Sequence, residues 1–142
     1  MRLPPSMVRE RLEQVGRGAV IRVNWDELDD PRLKSRDKLL VLLNAAWPEA
    51  EILFAFAPSR AEGFVPGKAS DFLWISSGSY PFFPKETLIN LRRVYVASFD
   101  RMCARPGLSV AGRLSTEHLA RIDEIVSASR LIEARIKLRV VP

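Results

Sequence analysis

A chain of 142 residues, 47% hydrophobic and 27% charged, is long enough for one domain with its own core, which excludes a disordered polypeptide. A net charge of +5 favours an anionic partner, either nucleic acid or an acidic protein segment. The lone Cys103 excludes an internal disulfide and fits a reducing cytoplasm, the lone His118 argues against a conventional zinc site, and no apolar run reaches the roughly 18 residues of a membrane span.

Ser6 to Val15 reads as a short helix: Ser6 can cap it, Val8, Leu12 and Val15 share a face, and Gly16 supplies the stop. A first strand follows from about Ala19 to Trp25. Asp26 to Arg36 is a charged loop broken by Pro31. Lys38 to Asn44 carries the apolar run LLVLL of a strand buried on both faces, and Glu51 to Ala57 can pair with it as a hairpin. Ser59 to Ser70 is a polar loop with Gly63, Pro66 and Gly67. Asp71 to Ser76 is a short aromatic strand, and Ser77 to Lys85 is turn material with an exposed-looking Tyr80-Pro81-Phe82-Phe83 cluster. Glu86 to Leu91 and Val94 to Phe99 read as two short strands or one bent strand, and Asp100 to Leu108 as a connector.

Val110 to Val126, VAGRLSTEHLARIDEIV, encodes a strand end, a Gly-Arg turn, a capped helix start and an amphipathic helix. Ser115 can accept a bond from the first-turn N–H groups, and Glu117 suits the positive end of the helix dipole. Leu119, Ile122, Ile125 and Val126 share one face. From Ile132 to Val140 apolar and charged residues alternate strictly, which predicts a half-buried edge strand with Glu133, Arg135, Lys137 and Arg139 outward. Many short strands with few helices predict an α+β, mainly β chain: a small β-barrel or strongly bent sheet with helices outside. The expected organisation is a single domain, 1–142, with a helical extension (1–16), a barrel and helix (17–129) and an extra edge strand (130–142).

The Val110–Val126 segment resembles the C-terminal end of the MazF/PemK family of toxin endoribonucleases, which closes with a Gly-Arg/Thr-Leu-Ser turn and an Ala-Arg-Val/Ile-Asp-Glu helix. Further blocks resemble that family in the same order. Arg17-Gly18-Ala19-Val20, leading into Asn24-Trp25-Asp26, is similar to its opening strand. Lys34-Ser35-Arg36-Asp37-Lys38-Leu39-Leu40-Val41 is similar to its Lys-x-Arg-Pro-Ala-Leu-Val-Leu motif. Phe56-Ala57-Pro58-Ser59-Arg60 stands in the place of its Ile-Thr-Ser-Arg block, and Glu86 to Leu91 resembles its Asp-Ser-Val-Ile-Leu-Leu strand. The resemblance covers roughly Gly16 to Ser127.

The resemblance implies an SH3-like barrel that forms a homodimer, an acidic antitoxin peptide as partner, and cleavage of single-stranded RNA without metal or cofactor. In that chemistry the ribose 2′-hydroxyl attacks the adjacent phosphate, so the site needs a proton acceptor, a donor to the leaving oxygen and positive charge. Arg36 matches the family's loop arginine, whose planar fork suits phosphate. Ser59 is the acid/base candidate, and Lys34, Lys38, Arg60 and Arg93 are candidates for RNA binding. Three positions depart from the pattern. Asp37 replaces the proline after the arginine, Pro58 occupies the catalytic Thr or Ser position, and Arg92-Arg93-Val94-Tyr95 replaces Glu-Gln-Ile/Val-Arg.

Those departures support an alternative, a non-catalytic relative that binds nucleic acid or an acidic protein segment. A third reading, a CcdB-like toxin that poisons gyrase by contact, draws on the extra C-terminal strand. His118 reads as a surface helix residue and Cys103 as inert. Trp74, Phe72, Phe82 and Phe83, with Trp25 and Trp47, suit core packing or a dimer contact better than base stacking.

Overall fold

The computed structural model describes residues 5–24, 37–44, 51–57, 71–105 and 108–140. Its elements are α1 (Pro5–Val15), β1 (Ala19–Asn24), β2 (Asp37–Leu42), β3 (Glu51–Phe56), β4 (Phe72–Ile75), β5 (Thr87–Asn90), β6 (Tyr95–Ser98), α2 (Phe99–Cys103), β7 (Ser109–Arg113), α3 (Thr116–Ala128) and α4 (Ala134–Val140). The fold is α+β. Five antiparallel strands form the main sheet in the order β6-β3-β2-β1-β7, and β4 pairs with β5 in a separate two-stranded sheet.

The main sheet is covered on both faces, which explains the unbroken apolar run of β2. On one face Ile21, Val23, Leu40, Leu42, Ile52 and Phe54 meet Val8 and Leu12 of α1 and Phe99 and Met102 of α2. On the other, Val20, Val41, Leu43, Leu53 and Ala55 meet β4, β5 and the Leu119, Ile122 and Val126 stripe of α3. Each such side chain removed wholly from water stabilises the fold by roughly 1.5–3 kcal/mol before entropy is counted.

At β7 the pairing with β1 shifts register between Val20 and Ile21, a bulge that bends the edge strand. Gly112 sits at this bend, and a Cβ there would overlap the edge of the Phe82 ring. Phe83 is buried at 1% exposure, with Tyr80 and Phe82 rings packed against it. The Tyr80–Phe83 cluster is a turn, as expected, but with Pro81 exposed its three rings pack inward as a hydrophobic plug.

The tail differs most from expectation. Its last described segment is the helix α4, and among the described residues no C-terminal edge strand forms. Ile132, Ile136 and Val140 are spaced by four, so they share a helix face as well as a strand face. All three pack toward the core, whereas Leu138, which a strand would bury with them, is 82% exposed. Ala, Arg, Lys and Leu favour the helix. This removes the extra strand on which the gyrase-binding reading drew.

Two further expectations are corrected. The connector after β6 contains α2, capped by the Ser98 hydroxyl accepting from the Arg101 N–H. The two edges of the main sheet, β6 and β7, are not paired among the described residues, so the sheet remains open and no closed barrel is formed there. Glu86–Leu91 and Val94–Phe99 resolve into two strands in different sheets.

Candidate nucleic-acid interface

Four strands share one end of the main sheet. Asn24, the last residue of β1, pairs with Asp37, the first of β2. The Ala57 N–H, just past β3, donates to the Leu39 carbonyl at 3.0 Å, and Tyr95, the first residue of β6, pairs with Phe54. The chain segments that carry Lys34 and Arg36, and Ser59 and Arg60, continue from these strand ends. Those four residues, with Pro58, Trp25, Trp47 and both polar loops, lie outside the described residues.

Two of the sequence candidates are described, and both sit at this end. Leu40 pairs with Phe56, so Lys38, two residues earlier, lies on the same face as Phe56 and diagonal to it. Phe54 and Tyr95 rings stack at 5.5 Å and 16°, and Phe56 meets Tyr95 edge-on at 4.9 Å. The Cζ of Arg93 lies over the Tyr95 ring, 4.6 Å from its centroid. Lys38, Phe56 and Tyr95 are half-buried and Arg93 is exposed. The position where the MazF/PemK pattern has arginine is thus an aromatic ring, but that ring carries a guanidinium on its face. Cations interleaved with rings suit single-stranded nucleic acid: the charges hold phosphates and the flat groups hold bases.

The Nε of Arg92, in the connection between β5 and β6, lies 3.9 Å from the Asp71 carboxylate. With Arg93 this residue lines a cleft of about 260 Å³ whose other lining comes from Leu131, Ile132 and Glu133, which precede α4, and from Arg135 and Ile136 within it. The remaining tail cations have structural partners. Lys137 donates to the Ser127 carbonyl at 3.1 Å and to that of Ser129, closing the C-terminal end of α3. Arg139 reaches Glu51 at 3.3 Å.

A second groove, about 760 Å³, runs between β4 and α3 and is lined by Trp74, His118, Arg121 and Glu124 among others. Trp74 is 38% exposed, which sets aside core packing, one of the two roles expected for it beside a dimer contact. His118 is half-buried and held in place. Its backbone N–H donates to Ser115 Oγ at 3.3 Å, and its Nδ1 lies 2.6 Å from the Tyr80 hydroxyl, which also accepts from the Ser115 N–H at 2.8 Å. The Tyr80 contact joins the aromatic plug to the helix cap, a long-range pairing without a local sequence signal. Cys103 is buried, and burial pushes its thiol up to about 11, partly opposed by Arg9, so it is no nucleophile at neutral pH.

Among the described residues, no group of three His, Cys, Asp or Glu side chains is placed to hold a metal ion. No helix there is long and apolar enough to cross a membrane. No protein-family model matches this chain, and no curated protein matches it in sequence.

Proposed function

We propose that this protein is a MazF/PemK-like toxin of a toxin–antitoxin system that binds single-stranded RNA across the shared end of β1, β2, β3 and β6. The observation that carries this reading is the convergence of Lys38, Arg93, Phe56 and Tyr95 on one face of that end. Lys34, Arg36, Ser59 and Arg60 lie outside the described residues and enter this reading from the sequence pattern alone. The net charge of +5 favours the same polyanion and, in competition with it, an acidic antitoxin peptide. The protein acts in the cytoplasm as a homodimer.

The cleavage half of the proposal rests on Arg36 holding the scissile phosphate and Ser59 moving the proton. Purified protein incubated with single-stranded RNA in EDTA is expected to cut it, and Arg36→Ala to abolish the cutting. Intact RNA at high protein concentration contradicts cleavage. One observation favours the non-catalytic alternative: the Tyr95 ring is packed against Phe54 and Phe56, a binding surface where the family pattern has a charged group. RNA bound but uncut, with affinity falling steeply as salt rises, is the result that alternative predicts.

A further inference from the structure

We propose that the cleft between the β5–β6 connection and the tail docks an acidic peptide segment of a partner protein, with a leucine-sized side chain of that segment seated in the cleft. The inference rests on the acidic-partner half of the reading above and gives that partner a place on the molecule.

The walls of the cleft are aliphatic. Val94, Ile132 and Ile136 line it and pack against the core on their side of the sheet. Leu131 lines it too, yet is 54% exposed, an apolar side chain that a partner would cover. Among the described residues no aromatic ring lines the cleft. The rings of Phe54, Phe56 and Tyr95 belong to the opposite face of the main sheet. Unpaired bases are held chiefly on rings, whereas aliphatic walls suit an aliphatic side chain. About 260 Å³ is below the roughly 300–1,000 Å³ of a drug-sized pocket, so it suits a single anchoring side chain better than a whole small molecule.

The charge around this apolar slot selects an acidic partner. Residues 130–140 hold Arg130, Arg135, Lys137 and Arg139 against the single carboxylate of Glu133, a net +3 in a chain whose total is +5. Arg130 and Arg135 are exposed. The Arg135–Glu133 pair, 2.8 Å apart, is itself in solvent, where such a pair is worth little, so carboxylates of a partner can compete for the arginine. Lys137 donates to the neutral carbonyls of Ser127 and Ser129, which leave its charge uncancelled. A positive field around an aliphatic slot is the complement of a segment that carries carboxylates beside a leucine. A lipid surface is a poorer match, because α4 has seven residues and turns one leucine, Leu138, outward.

The slot is formed before a partner arrives. The buried Ser129 hydroxyl accepts from the Leu131 N–H at 3.1 Å, and the two Lys137 bonds tie the same turn to α4. Leu131 is thereby presented on a fixed backbone, which lowers the ordering cost of docking.

The test uses the full chain and fluorescence anisotropy with a labelled synthetic peptide in which glutamates flank one leucine, beside the same peptide with alanine in place of the leucine. Wild type is expected to bind the leucine peptide about tenfold more tightly than the alanine peptide. Leu131→Ser, at an exposed position, is expected to bind the two peptides alike. The Arg130→Gln/Arg135→Gln double variant is expected to weaken both peptides by the same factor and to keep the preference for leucine. Leu138→Ser, whose side chain is exposed outside the cleft, is expected to behave as wild type. Acidic peptides bound without a leucine preference, a preference unchanged in Leu131→Ser, or one lost in Leu138→Ser overturns the cleft as the docking site and leaves the acidic-partner reading standing. Oligouridine bound more weakly by Leu131→Ser than by wild type assigns the cleft to nucleic acid and overturns the proposal. No acidic peptide bound by wild type at low salt overturns the acidic-partner reading, and the docking site with it.

Discussion

The two ends of the main sheet use polar residues in opposite ways. At the end where β1 begins, Arg17 donates to the Leu43 carbonyl at 2.8 Å and pairs with Asp123 of α3. Asn44, nearly buried, accepts from the Leu53 N–H at 2.9 Å and donates to the Glu51 carbonyl at 3.2 Å. The Leu114 N–H reaches the Gly18 carbonyl at 3.0 Å. These groups are turned inward onto backbone and onto α3. At the opposite end Lys38 and Arg93 lie beside aromatic rings, and Arg93 is open to solvent. A charge locked onto a carbonyl and a carboxylate stabilises the fold; a charge lying on a ring retains donors for a ligand. The difference marks one end as scaffold and supports the proposed binding surface at the other.

Substitutions can break this contrast, and the largest effects on stability are expected beside the first end. Ile122→Ala empties a fully buried site under α3 and is expected to cost about 2–5 kcal/mol by urea unfolding. Arg17→Ala leaves the Asp123 carboxylate and the Leu43 carbonyl without their donor. A loss of about 2–3 kcal/mol is expected, and a loss below about 0.5 would refute a structural role for this arginine. Gly112→Ala drives a methyl into Phe82 and is expected to cost roughly 1–3 kcal/mol. At the other end, Lys38→Ala and Arg93→Ala are each expected to change stability by no more than about 0.5 kcal/mol while weakening RNA binding and flattening its salt dependence.

A pH titration supplies the smallest effect. The Cys103 thiol is pushed up to about 11 in the folded chain, above its ordinary 9.0, because burial disfavours the thiolate. A raised pKa contributes stability that is fully present below the ordinary value and is lost as pH rises through the folded one. Stability is expected to decline between about pH 9 and 11, and less so in Cys103→Ala. At pH 8 iodoacetamide should label the folded chain much more slowly than the chain in urea.

Much of the scaffold is legible in the sequence because its signals are local. The LLVLL run marks a strand covered twice, and Ser115 caps α3 as its position predicts, accepting from the His118 N–H. Arg17 and Asp123 belong to separate sequence blocks that suggested the same family, and the fold joins them as an ion pair. The tail misleads because Ile132, Ile136 and Val140 satisfy periods of both two and four. The exposure of Ala134 and Leu138, which a strand would bury with them, distinguishes the two.

The candidate site is legible in part. Lys38 and Arg93 stand out as cations in blocks that resemble a known pattern, and both occupy the proposed surface. The Phe54–Tyr95–Arg93 stack does not stand out, because it depends on the register between β3 and β6, strands far apart in the chain. Local propensity carries no information about which residues of distant strands lie opposite each other. The same holds for Tyr80 and His118.

Fluorescence anisotropy with a labelled single-stranded RNA, titrated at increasing salt with wild type and with the Lys38→Ala/Arg93→Ala double variant, tests the central claim most directly. Wild type should bind with an affinity that falls steeply with salt, and the folded double variant should bind at least about tenfold more weakly with a shallower salt slope. Equal binding by the two proteins would contradict the assignment of this strand end as the RNA surface.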